Sequence, residues 1–132
     1  MKSKKNVLIF CVFILMFIFI SGLKSQTIHF CESKSTDGVP VGENTKFKYD
    51  AYKDNVIYIL VNFPAAYGCN QIKFRREKLG EPGPVSWVDI DPSATWVCFE
   101  MDMPQWGDYT LSVIGCNDET IGKGTVTMVY KQ

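Results

Sequence analysis

A chain of 132 residues carrying 14 basic and 14 acidic side chains has no formal net charge, so it lacks the surplus of cations that a phosphate backbone demands and nucleic acid is excluded as a partner. Its length is that of one domain rather than several. No low-complexity tract, heptad series or internal repeat interrupts it.

The chain begins with Lys2, Lys4 and Lys5, followed by an unbroken apolar stretch from Val7 to Ile20 and then by Ser21-Gly22-Leu23-Lys24-Ser25-Gln26. A cationic end, an apolar middle and small residues at the exit describe a secretory signal peptide. Those 14 apolar residues fall short of the roughly 17 that a membrane-spanning helix needs as a minimum. The expected organisation is a signal peptide over 1–26 and a single domain over 27–132, secreted or periplasmic. The membrane is a partner only if the leader is retained. Loss of the leader leaves ten basic residues against fourteen acidic ones, a net charge of −4.

Cys11 lies inside the leader, which leaves Cys31, Cys69, Cys98 and Cys116. An even cysteine set in an exported chain predicts two disulfides, each contributing about 2–4 kcal/mol. No Cys-x-x-Cys pair is present, so neither a zinc ribbon nor a thioredoxin-type site is expected. Three connectivities remain open.

Short apolar runs then recur between turn signals. Strands are predicted over Thr27–Cys31, Thr45–Tyr49, Asn55–Phe63, Gln71–Arg76, Val85–Ile90, Thr95–Asp102, Asp108–Ile114 and Thr125–Tyr130. Between them lie clusters of Gly, Pro, Asp and Asn, which supply or fix the unusual φ angles of turns. The alternation of Val97, Phe99, Met101 and Met103 with Trp96, Cys98, Glu100 and Asp102 has the period of two that a half-buried strand requires. Seven to eight such strands, with no helical stripe outside the leader, indicate an all-β antiparallel sandwich or barrel.

Catalytic chemistry finds little purchase in these residues. His29 is the sole histidine, so any histidine-based triad would rest on it alone. Asp89 with Asp91, and Glu100 with Asp102, are carboxylates two apart on a strand. They read as a polar face and a turn rather than as a calcium site or a glycosidase pair. The run Lys73-x-Arg75-Arg76-x-Lys78 reads as a solvated edge. No catalytic residue, cofactor or metal site is expected, and the chain reads as a non-enzyme. The tryptophans carry the better lead: Trp87 and Trp96, if they share a sheet face, make a flat apolar platform, and Trp106 lies in a nearby turn.

The segment Gln105-Trp106-Gly107-Asp108-Tyr109-Thr110-Leu111 resembles the Asp-x-Gly-x-Tyr-x-Cys signature that enters strand F of immunoglobulin-like domains, with Gly107 and Tyr109 matching and Gln105 and Leu111 departing. The resemblance implies an immunoglobulin-like β-sandwich in which the Tyr109 hydroxyl bonds back to the chain as a tyrosine corner. It also implies a bridge between Cys69 and Cys116, at one end of the sandwich, and a second between Cys31 and Cys98.

These readings lead to an expected function: a non-catalytic binding module that recognises a protein partner or a surface polymer outside the cytosol. Two alternatives stand beside it. One is a carbohydrate-binding module using Trp87, Trp96 and Trp106. The other is a small lipid-binding sandwich whose sheets part around an apolar cavity.

Overall fold

The computed structural model describes residues 26–78 and 80–131. The expected signal peptide over 1–26 falls, but for its last residue, outside the described residues. Nine strands follow in chain order: β1 (Thr27–Ser33), β2 (Val41–Glu43), β3 (Lys46–Tyr49), β4 (Val56–Asn62), β5 (Gln71–Lys78), β6 (Val85–Asp89), β7 (Trp96–Asp102), β8 (Gly107–Ile114) and β9 (Thr120–Tyr130). They form two sheets, one in the order β2-β1-β4-β7 and the other β3-β9-β8-β5-β6. Among the described residues there is no helix. The described residues form an all-β, two-layer sandwich.

Alternation along each strand sets what lies between the layers. Ile57, Ile59 and Val61 of β4, with Phe99 and Met101 of β7, meet Ile72 and Phe74 of β5 and Tyr109, Leu111 and Val113 of β8. Phe74 and Phe99 stack across the gap with ring centroids 4.4 Å apart, a geometry that adds to their burial. Burying such side chains supplies roughly 1.5–3 kcal/mol each. Among the described residues these side chains pack the middle of the interlayer space, which corrects the expectation of sheets splayed around an apolar cavity.

Two departures from the expected strands have backbone causes. The last strand starts at Thr120 instead of Thr125, because Gly122 and Gly124 lie in β9 and face the core. A Cβ on Gly124 would come within 2.8 Å of the Phe30 ring, and one on Gly122 within 2.9 Å of Ile28. The glycines that read as a turn are the space into which β1 packs. The unexpected β2 is short and contains Gly42 at φ +66°, so its sequence does not resemble a strand. It pairs with β1 through Cys31 opposite Glu43 and Ser33 opposite Val41.

Of the two expected bridges, Cys69 and Cys116 are linked, with Cα atoms 6.3 Å apart. Cys31 and Cys98 are free thiols, and their expected bridge is corrected. β4 lies between β1 and β7, which separates the two backbones by about two strand spacings, ~9.6 Å, where a disulfide tolerates at most ~6.8 Å.

Candidate functional site

The end of the sandwich opposite the disulfide carries the concave surface. There β3 leaves one sheet and β4 begins in the other, joined by residues 50–55. Side chains hold this loop in shape. Asp50 Oδ1 accepts from the Tyr52 amide at 3.0 Å, Asn55 Oδ1 accepts from the Asp50 amide at 2.9 Å, and Asn55 Nδ2 donates to the Asp50 and Lys53 carbonyls at 2.8 and 3.0 Å. Asp and Asn suit this work because their short polar side chains bond neighbouring backbone groups in place of a regular ladder. The Met103 amide, donating to the Asn55 carbonyl at 2.8 Å, ties the loop to the end of β7.

Beside the loop opens a cleft of about 610 Å³, within the range of small-molecule sites. Its apolar lining comes from Phe47, Ile57 and Met128, which also belong to the core, together with Val56. Lys46, Lys48, Lys53 and Lys131 also line it, against the carboxylates of Glu32, Asp50 and Asp54. Asp50 is already committed to the Tyr52 amide, and Lys131 Nζ stands 3.7 Å from its other oxygen. Four ammonium groups against three carboxylates leave the cleft one formal positive charge, and with Lys131 beside Asp50 it is Lys46, Lys48 and Lys53 that face Glu32 and Asp54. A second hollow of about 510 Å³ continues past Asp54 and Asn55 to Glu100 and Asp102 on the outer side of β7.

The expected binding residues do not assemble. Trp87 on β6 stands 59% exposed, with Lys73 Nζ 4.5 Å above its ring. Trp96 belongs to β7 of the other sheet and is half-buried under the β1–β2 connection, where Gly38 lies against its indole. The two indoles sit on opposite outer faces, so the platform is corrected. Residue parity told which side of its own strand each tryptophan takes, but not which sheet the strand joins. Trp106 is 58% exposed and meets Tyr130 edge-on at 6.3 Å.

The carboxylate pairs and the histidine have local partners. Asp91 Oδ1 accepts from the amide and hydroxyl of Ser93 at 2.9 and 2.8 Å, and those two bonds hold its carboxyl below the usual range. His29 Nδ1 contacts Glu43 Oε1 at 2.5 Å and so ties β1 to β2. Burial pushes the Cys31 thiol up, opposed by a hydrogen bond from the Val41 backbone, so this sulfur is protonated and inert at neutral pH. Among the described residues no three His, Cys, Asp or Glu side chains cluster in a way that could hold a metal ion.

No family model matches the chain, and no curated protein matches its sequence. Two solved structures of superoxide reductase (neelaredoxin) from Ignicoccus hospitalis, one of them a variant, are similar in fold at 12% identity. The variant covers 85% of this chain and 86% of its own at a TM-score of 0.45; the other covers 82% and 81% at 0.42. This finding corrects three expectations: membership among immunoglobulin-like domains, a non-catalytic binding module, and a non-enzyme. The similar structures are of enzymes and not of immunoglobulin-like domains. At this identity the likeness is one of fold, and no activity passes from those proteins to this chain. The motif behind the immunoglobulin-like expectation has a local explanation. Gly107 occupies φ +128°, open to glycine, and the Tyr109 hydroxyl donates to the Gln105 carbonyl four residues back at 2.7 Å. Such a turn device serves an antiparallel sheet without marking a family.

Proposed function

We propose that this chain takes up a small organic anion with an apolar body, in the cleft beside the β3–β4 loop, and that it does so outside the cytosol. The observation that carries the reading is the pairing of an apolar lining with four lysines in one cleft of about 610 Å³. An apolar body would cover Val56 and the rims of Phe47 and Met128. An ammonium group in a partly desolvated cleft interacts with an anion more strongly than it does in open water. Export is supported by the composition of residues 1–26 and by the Cys69–Cys116 bridge, since disulfides persist in oxidising compartments.

The test is a fluorescence titration with 8-anilinonaphthalene-1-sulfonate. At about −0.3 kcal/mol for each of its roughly 21 non-hydrogen atoms, saturable binding is expected on the order of 10⁻⁵ M. Added salt should weaken it, because the lysines are solvent-accessible. Lys53→Glu with Lys131→Glu should reduce the affinity about tenfold while near-ultraviolet dichroism stays unchanged. A titration without saturation, or one indifferent to both substitutions, would refute the reading.

A further inference from the structure

We infer that the anion taken up by this cleft carries a flat aromatic ring, and that Tyr52 and Tyr130 hold the ring between them. The inference rests on the cleft reading and names the ligand's chemical class. A smaller hollow of about 230 Å³ adjoins the cleft, lined by Asp50, Ala51, Tyr52, Tyr130 and Lys131. Asp50 and Lys131 line both spaces, so a ligand anchored at the lysine reaches both. The smaller hollow lies below the roughly 300 Å³ of a whole ligand site and suits part of one.

Tyr130 is placed by its ring contacts, and Tyr52 by its backbone alone. Tyr130 sits opposite Tyr49 in the β3–β9 register, with their ring centroids 6.1 Å apart, and Trp106 meets it from another side at 6.3 Å. Half of Tyr130 nevertheless remains exposed. Tyr52 is 97% exposed and contributes nothing to the core, yet its amide is fixed by Asp50 and its loop by Asn55. A large ring carried into solvent on a hydrogen-bonded loop, beside the hollow that a second half-exposed ring also lines, offers two aromatic faces to a planar guest. Aromatic faces prefer offset or edge-on partners with centroids about 4.5–7 Å apart, so a planar guest satisfies both walls. The hydrogen-bonded loop backbone and the packed Tyr130 ring reduce the ordering cost of binding.

The experiment compares naphthalene-2-sulfonate with decane-1-sulfonate, two anions with the same number of non-hydrogen atoms, by calorimetry on the folded chain. Naphthalene-2-sulfonate is expected to bind the wild type at least about fivefold more tightly. Tyr52→Ala should remove that advantage and leave the decane affinity unchanged, and Tyr52→Phe should keep it. If both anions bind and Tyr52→Ala weakens neither, or weakens both alike, the aromatic slot is overturned and the cleft stands. If neither anion binds the wild type, the cleft reading fails and takes this inference with it.

Discussion

Asn55 and Asp50 close the β3–β4 loop upon each other. The Asn55 side-chain oxygen accepts from the Asp50 amide at 2.9 Å, while its nitrogen donates to the Asp50 carbonyl at 2.8 Å. One side chain thus replaces a pair of ladder hydrogen bonds where the backbone must cross from one sheet to the other. Asn55→Ala should cost about 1–3 kcal/mol in urea denaturation, because partly buried backbone groups lose their partners. It should also weaken sulfonate binding at the cleft, whereas Asp54→Asn, at the residue next to Asn55 whose side chain takes no part in that pairing, should strengthen it by removing a carboxylate from the lining.

The two core-facing glycines of β9 make a paired prediction. A Cβ on Gly124 would strike the ring of buried Phe30 at 2.8 Å, and one on Gly122 would strike the Cδ1 methyl of half-buried Ile28 at 2.9 Å. Overpacking of a fixed core ring costs about 1–3 kcal/mol. Gly124→Ala should therefore lower stability by that amount, and Gly122→Ala by clearly less, since a terminal methyl can swing aside. Equal losses in thermal melts would contradict the packing described for β1 against β9.

Burial raises the Cys31 thiol above its ordinary value of 9.0 and the Tyr67 and Tyr109 phenols above 10.0. All three are acids that the folded chain holds protonated. Their contribution is fully present below the unfolded values and is lost as pH climbs past them. Stability should be level up to about pH 8.5 and decline between pH 9 and 11. Cys31→Ala should flatten the earliest part of that decline, which denaturant melts across the alkaline range would read directly.

The free thiols should differ in reach. Cys31 is fully buried whereas Cys98 is partly open, and only an accessible thiolate is alkylated quickly. Iodoacetamide on the native chain should label Cys98 first, with Cys31 reacting only at the rate of unfolding. Reduction of Cys69–Cys116, whose partners are 47 residues apart, should cost about 2–4 kcal/mol. Peptide mass mapping after timed labelling checks the order.

The layers of this molecule were legible wherever side chains alternate. β7 read correctly because Phe99 and Met101 point one way and Glu100 and Asp102 the other, and β4 because its apolar run, with Leu60 as buried as Ile59 on the opposite side, is bounded by turn residues. β2 and the start of β9 were hidden because Gly42, Gly122 and Gly124 serve packing and backbone needs while looking like turn residues. Trp87 and Trp96 misled for another reason: parity is a property of one strand, and sheet membership depends on distant pairings. The cleft was illegible for the same cause. Lys46, Lys53 and Lys131 come from three separate segments that meet only when β3 runs parallel to β9, and no spacing in the chain announces it. The one local hint was the Asp50…Asn55 pair bracketing a short loop.

The covalent staple sits where β5 begins and β8 ends, at the far end from Tyr52. The bridge fastens two strands of one sheet, while the crossing between the layers at the other end is latched by Asn55. A guest in the cleft beside that latch also acts as a clasp, so occupancy should slow amide exchange at Val56 and Met128 long before it alters anything near Cys116.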